Sequence, residues 1–270
     1  MIILLLVKPR LKNGYVEVID GKSQNCNFLS MGLLILNSKL PQYENKTKNE
    51  EIAIVIINGN VDVNVGNNEF KNIGRKSVFE KPADVVYVPT DTEYKIKIKD
   101  HDGNAKIALC KSKADRHMEP LIVRSDYIET VKRGKCQWKR NVRNILVDNV
   151  EGKVDKIILG ETINEPGEWS GYPPHKHTEK NPPDELPFEE IYYYEFEPPQ
   201  GFGIQVHYGS HYEKDDGYII KTGDVFAIPD GYHPVVAAGG YKLYYLWFMA
   251  GPDGRKLMPH IDKDHKWVDS

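Results

Sequence analysis

Apolar and polar positions alternate with a period of two through much of this chain, the pattern of strands that bury one face. EEIAIVIINGNVDVNVG, residues 50–66, reads as an apolar strand, an Asn-Gly turn at Asn58–Gly59, and a second strand alternating through Val61, Val63 and Val65. That is a predicted hairpin. KPADVVYVPTDTEYKIKIK follows as strand, turn, strand. In the second half VDKIILGETI, EIYYYEF, GFGIQVHY and YKLYYLWFMAG read as further strands divided by Gly- and Pro-containing turns. The opening MIILLLVKP is apolar but short, without the basic flank and small-residue cleavage site of a leader, and reads as a first strand. The expectation is an all-β, antiparallel protein.

The two halves repeat weakly. ADVVYVPTDTEYKI aligns with GDVFAIPDGYHPVV, setting Asp84 on Asp224, Val88 on Ile228 and Pro89 on Pro229. EEIAIVI then aligns with EEIYYYE, with Glu51 on Glu190, and Glu93 falls where His233 stands. Upstream of Glu51, SQNCNFLSMGLL holds no histidine. A duplicated barrel follows, with three expected segments: 1–114 a degenerate copy, 115–150 a connecting segment, and 151–270 the copy that carries the chemistry together with a tail.

That chemistry concentrates between Tyr172 and Met249. His175 and His177 are two residues apart, so on a strand both imidazoles project the same way. Glu190 opens EIYYYEF, sharing a face with Tyr192 and Tyr194, while Glu189 is the competing ligand on the other parity. Glu179 and Glu185, in the Pro-containing loop between, rank lower. His233 enters after the Pro229-Asp230-Gly231 turn. Three histidines and a carboxylate suit one divalent metal with open positions, zinc first, with manganese, iron or nickel as alternatives. Gln205 and His207 alternate against Ile204, Val206 and Tyr208; facing a cavity, they would touch substrate or support the ligands. Arg140 and Lys176 are candidate cations for a substrate carboxylate. Tyr245 and Trp247 share one face of the last strand, Tyr244 and Leu246 the other. The tail, with His260 and His265, is expected at the surface.

Composition narrows the picture. The chain has 270 residues, a net charge of −3 and no basic stretch of the kind that grips nucleic acid. Its three cysteines, Cys26, Cys110 and Cys136, are widely spaced, which argues for reduced thiols and a cytoplasmic setting. No membrane partner is expected. Exposed sheet edges favour a homo-oligomer.

The order HxH, Glu at a strand start, Gly, then GD…PxGxxH resembles the cupin pattern, with the Pro-rich TEKNPPDELPFE inserted before the Glu. YPPHKH, the Glu-Glu pair before a Tyr run, PPQGF, GYHPV, LYYLWFMAGP and DKDHKW together resemble the 5-deoxy-glucuronate isomerase family of inositol catabolism, as do GRKSVFEKPADVVYVP and VKRGKCQWKRNVRNIL in the first half. The resemblance implies a bicupin of two antiparallel double-stranded β-helix (jelly-roll) barrels. It also implies a metal-dependent aldose–ketose isomerisation of a small sugar acid, 5-deoxy-D-glucuronate, to 5-dehydro-2-deoxy-D-gluconate. The related 4-deoxy-L-threo-5-hexosulose-uronate ketol-isomerases share the metal pattern. His207 and Tyr192 are the candidate side chains for proton transfer, and Lys176, Gln205, Arg140 and Tyr245 for substrate binding. One departure stands out: Val206 and His207 replace the Arg and apolar residue usual after the Gln. A cupin dioxygenase and a non-catalytic binding bicupin are the rival readings.

Overall fold

The computed structural model describes residues 4–99, 103–211 and 214–269; Met1–Ile3 of the predicted first strand lie outside them. Strands dominate, and every pairing is antiparallel. A nine-stranded sheet is built from the first half, and a seven-stranded sheet from the second. A four-stranded sheet, Trp169–Ser170, Val235–Ala237, Phe202–His207 and Asp216–Lys221, covers the far face of the seven-stranded one.

The large sheets pack on each other through one apolar cluster. The first supplies Met31, Leu33, Ala53, Val55, Tyr87 and Cys110; the second supplies Ile191, Tyr193, Tyr244, Leu246 and Phe248. Period-two alternation sends the remaining residues of the same strands to the opposite faces. In the first half these are Ile52, Ile54, Ile56, Val86 and Val88, in a mainly aliphatic interior that also holds Tyr94. In the second half they are Tyr192, Tyr194, Phe226, Ile228 and Tyr245. The Tyr245 face of the last strand is therefore the cavity face, and the Tyr244 face is the core.

A single 16-residue strand, Glu50–Val65, replaces the hairpin expected at Asn58–Gly59. Its register shifts between Ile56 and Asn58. There the strand turns a corner, leaving Val85–Val88 and Ala105–Lys113 to pair with Asn68–Arg75 and Glu93–Ile98. The Asn-Gly pair serves a bulge, which bends a strand without reversing it.

The halves exchange strands. Leu6–Val7 precedes the first half yet pairs with Val225–Ile228 of the second. Leu121–Val123 precedes the second half yet pairs with Val85–Val88 of the first. The segment expected only to connect thus edges the first sheet, and its later strands Thr130–Arg133 and Arg140–Leu146 extend the second.

Two carboxylates fasten the exchange. Glu51 accepts the backbone N–H groups of Asp155, Lys156 and Ile157 at 3.0, 2.8 and 2.6 Å, just before the strand Ile158–Asn164. Glu189 accepts those of Asn27, Phe28 and Leu29 at 2.5, 2.8 and 3.1 Å, at the start of Leu29–Leu36. Between the sheets, the fully buried Glu161 lies 2.6 Å from Arg75, 3.4 Å from Arg143 and 2.8 Å from the Tyr244 hydroxyl that donates to it. All three cysteines are free.

Candidate metal centre

His177, Glu190 and His233 come from three places in the chain and meet in the second half. Their ligand atoms all lie within 4.8 Å of one another, and all three residues are buried. His175 stands beside them, its ring centroid 5.0 Å from that of His233 and 6.3 Å from that of His177.

Local structure explains each placement. His175–Lys176 forms a short strand, and its pairing residues are His260–Ile261 of the tail. The Pro-rich insert folds back on itself. Glu185 accepts the N–H groups of Thr178 and Glu179, and Phe188 donates its N–H to the His177 carbonyl. That closure returns the chain to Glu190 beside His177 despite the length between them. The turn before His233 needs Gly231: φ is +81°, and an added Cβ would sit 3.0 Å from the His207 ring and the Tyr208 carbonyl. Gln205 then holds the His233 backbone, donating from Nε2 to the carbonyls of His233 and Pro234 at 2.9 and 3.2 Å while its Oε1 accepts from Tyr194.

The donor set fits a metal. His177 Nδ1 lies 2.6 Å from the Phe188 carbonyl, and His233 Nδ1 lies 2.9 Å from the Gly231 carbonyl. A carbonyl is only an acceptor, so each Nδ1 carries the proton and each Nε2 of the neutral ring presents a lone pair. Both lone pairs converge on one carboxylate oxygen: Glu190 Oε2 is 3.1 Å from His177 Nε2 and 3.2 Å from His233 Nε2. His233 Nε2 is buried and its geometry makes no hydrogen bond. Three donors packed this closely could hold a metal ion among them.

The electrostatics agree. Burial alone would raise the Glu190 carboxyl, but the hydrogen bond with His177 and the closeness of both imidazoles outweigh it and hold it down at about 2. Burial depresses His177, yet the bond to Glu190 overcomes this and leaves its pKa raised. His175 is pushed down to about 3 by burial and by its two histidine neighbours, so its ring is neutral. Burial, then the Glu190 charge, pushes the Tyr192 phenol well up, so it is a proton donor and not a tyrosinate.

His175, His177, Glu190 and Tyr192 line one side of a cavity of about 190 Å³, with His233 buried behind them. Its floor is a lattice of paired positions on the seven-stranded sheet. Glu190 pairs with Met249; Tyr192 with Trp247; Tyr245 with Thr162, which pairs with Val142. Gly160 leaves room for the Trp247 indole, since a Cβ there would lie 2.3 Å from the ring. The indole N–H donates to Thr162 Oγ1 at 3.1 Å, and Tyr245 hydrogen-bonds Ser170. Arg140 lies on the wall two residues from Val142, with its guanidinium also donating to the carbonyls of Trp138 and Tyr172.

A profile of the KduI/IolB family matches residues 5–268. The chain belongs to the KduI/IolB family. Within this family it is 36% identical to the 5-deoxy-glucuronate isomerase of Bacillus licheniformis, with 98% of each chain covered. It is 37% identical to that of Shouchella clausii, again over 98% of each. Among solved structures, an IolB-like protein from Salmonella typhimurium superposes with a TM-score of 0.90 at 29% identity, covering 99% of this chain and 100% of that one. Bacillus subtilis oxalate decarboxylase superposes with a TM-score of 0.64 at 14% identity, covering 96% and 79%, a likeness of fold.

The structure of this KduI/IolB chain moves several expected residues. Lys176 turns away from the cavity, as alternation with His175 and His177 demands, and pairs with Glu179 at 2.9 Å and Glu185 at 3.5 Å. Gln205 is buried and occupied with the His233 backbone, outside the cavity lining. His207 faces the Asp230 carbonyl at 2.7 Å and also lies outside the lining. Glu189, the rival ligand, is spent on the Asn27–Leu29 backbone. Val206, on the parity opposite Gln205, lies outside the cavity lining. The tail, expected at the surface, folds over the mouth: Leu257, Met258 and Pro259 line the cavity. Asp262 anchors it, accepting from Tyr208 at 2.6 Å and donating its N–H to the Pro174 carbonyl at 2.8 Å. Thr162 and Met249 went unnoticed in the sequence, and Trp247 was noted only as sharing a face with Tyr245. The alternation from Tyr245 already pointed to Trp247 and Met249; nothing local pointed to Thr162.

Among the described residues, no helix is long and apolar enough to cross a membrane.

Proposed function

We propose that this chain is an aldose–ketose isomerase that converts 5-deoxy-D-glucuronate to 5-dehydro-2-deoxy-D-gluconate with the help of one divalent metal. The observation that carries the reading is a single cavity with a His/Glu ligand set on one strand group and a guanidinium on another. The curated relatives named for this isomerisation match along nearly the whole chain.

His175, His177, Glu190 and His233 would hold the metal, whose positive charge polarises a carbonyl and steadies the negative charge that develops as a proton leaves the adjacent carbon. Zinc suits three imidazoles and one carboxylate, with manganese, iron or nickel as alternatives. Tyr192, protonated and buried beside Glu190, offers its hydroxyl to a substrate oxygen. Arg140 takes the substrate carboxylate through its planar fork. Glu190 and Arg140 stand on strands three positions apart, roughly 14 Å at about 4.8 Å per spacing. With the ligands and the long Arg side chain reaching inward, the remaining gap suits an open six-carbon acid. Trp247, Leu257 and Met258 shield it from water, which strengthens each charge interaction inside.

The finer architecture belongs to the same proposal: a bicupin of two jelly-roll barrels, with 1–114 the degenerate copy, 115–150 the connection and 151–270 the metal-binding copy. The matched strand orders of the two large sheets support it, as do the exchanged strands Leu6–Val7 and Leu121–Val123. A cytoplasmic homo-oligomer completes the reading, supported by three free thiols and by the edge strand Asp216–Lys221, which is open to pairing.

The test is NMR in deuterated water of metal-loaded protein with 5-deoxy-D-glucuronate, beside a His177→Ala variant. Ketose formation that the variant loses, with deuterium at the carbon next to the carbonyl, is the expected result. Absence of conversion by metal-loaded wild type overturns the substrate and directs the search to the 4-deoxy uronates.

A further inference from the structure

The relatives' substrate differs from glucuronate by one atom: the carbon next to the carboxylate carries no hydroxyl. The wall beside Arg140 is built to match. Val142 is two residues along the same strand and faces the same cavity. Directly opposite Val142 is Thr162, whose hydroxyl accepts the Trp247 indole N–H and is itself hydrogen-bonded to the Tyr245 hydroxyl. Next in the row, the Tyr245 hydroxyl is bound to Ser170. The flat of Trp247 lies over Gly160, and Met258 packs against the cluster that contains Met249. Around the position that follows an Arg140-bound carboxylate, the lining is thus methyl groups, an indole face and hydroxyls with partners of their own.

Resting on the isomerase reading above, we propose that Val142 is a specificity-determining residue that reads the absence of a hydroxyl on the carbon next to the substrate carboxylate. A methylene there meets Val142 without loss. A hydroxyl there gives up its hydrogen bonds to water and finds none in return. An apolar contact of this kind discriminates against an added hydroxyl by at most about 100-fold, because it only withholds a partner and does not fill the space. Val142→Thr keeps the shape and supplies the missing partner; Val142→Ala removes the methyls without adding polarity.

The experiment compares kcat/KM for 5-deoxy-D-glucuronate and D-glucuronate in wild type, Val142→Thr and Val142→Ala. Because D-glucuronate closes into a ring in solution, the change in the ratio between proteins is the quantity read, and ring closure cancels. The same three proteins are titrated calorimetrically with the two acids whose aldehyde has been reduced to an alcohol, which bind without reacting. The expected result is a preference for the deoxy compound in wild type that narrows roughly tenfold in Val142→Thr, in both turnover and binding, and that Val142→Ala retains. Turnover of 5-deoxy-D-glucuronate by wild type with an unmoved ratio in Val142→Thr overturns the role of Val142 and leaves the isomerase reading standing. No turnover of it by wild type overturns both.

Discussion

Glu51 occupies in the first half the position that Glu189, and not Glu190, occupies in the second. Ile52 pairs with Val88 as Glu190 pairs with Ile228, so Ile52 takes the place of the metal carboxylate. The alignment of Glu51 on Glu190 was one residue out of register, and a slip of one exchanges the two faces of a strand. Corrected, it places at the position matching Glu190 an isoleucine packed among apolar side chains. It also shows that the carboxylate common to both halves is the one that grips the opposite half.

Removing Glu51 leaves three buried N–H groups without an acceptor, and removing Glu189 leaves one buried and two partly buried. Glu189→Ala and Glu51→Ala are each expected to destabilise the protein by about 2–4 kcal/mol. Denaturant unfolding of the metal-free protein measures this without interference from the ligand set. A loss below about 0.5 kcal/mol in both would show that the clamps contribute little.

Glu161 neutralises two buried guanidinium groups between the sheets. Glu161→Gln keeps the volume but leaves Arg75 and Arg143 without a counter-charge. The expected loss is about 3–5 kcal/mol, greater than for either clamp variant, read from the same unfolding curves.

The tail supplies the strand partner of His175 and one wall of the cavity. A chain ending at Lys256 is expected to keep its far-ultraviolet circular dichroism and to bind metal 10- to 100-fold more weakly, by analogy with loss of groups that orient ligands. Competition with a chromophoric chelator reads the affinity. Undiminished affinity would show that His175 needs no support from the tail.

Stability of the metal-free protein should depend on pH at both ends. Glu190 is lowered from an ordinary 4.5 to about 2, so its contribution is full above about 4.5 and is lost as the pH falls through about 2. His177 is raised from 6.5, so its contribution is full below about 6.5 and is lost as the pH rises through the folded-state value. His175, lowered from 6.5 to about 3, costs stability as the pH falls below about 6.5, so thermal unfolding in chelator should be highest near pH 6.5. Metal affinity should run the other way, rising with pH, because the ion must displace the proton on His177. A melting temperature of metal-free protein that climbs steadily to pH 9 would contradict the pairing.

Much of the ligand set was legible because it depends on local rules. Two imidazoles with one residue between them share a strand face, and a Pro-Asp-Gly turn delivers His233 at a strand start. The same alternation also argued against Lys176, which was nonetheless entertained as a substrate cation; the structure follows the alternation. Gln205 and His207 were expected on the cavity side and are buried, but the cavity stops short of them, since Gln205 fills its hydrogen bonds on the His233 backbone.

By itself the sequence determined most of the strands, their two faces and a set of candidate metal-ligating residues, because side-chain direction in a strand is set by the residue's own position along it. Only the tertiary structure decided which strands lie side by side. That lateral order brings Thr162, Trp247 and Arg140 to one floor and exchanges Leu6–Val7 for Leu121–Val123. It also lays the tail across the mouth. The backbone hydrogen bonds that join strands are alike at every residue. The choice of neighbour therefore rests on the packing of whole faces and on a few long-range grips such as Glu51 and Glu189, which no local pattern records.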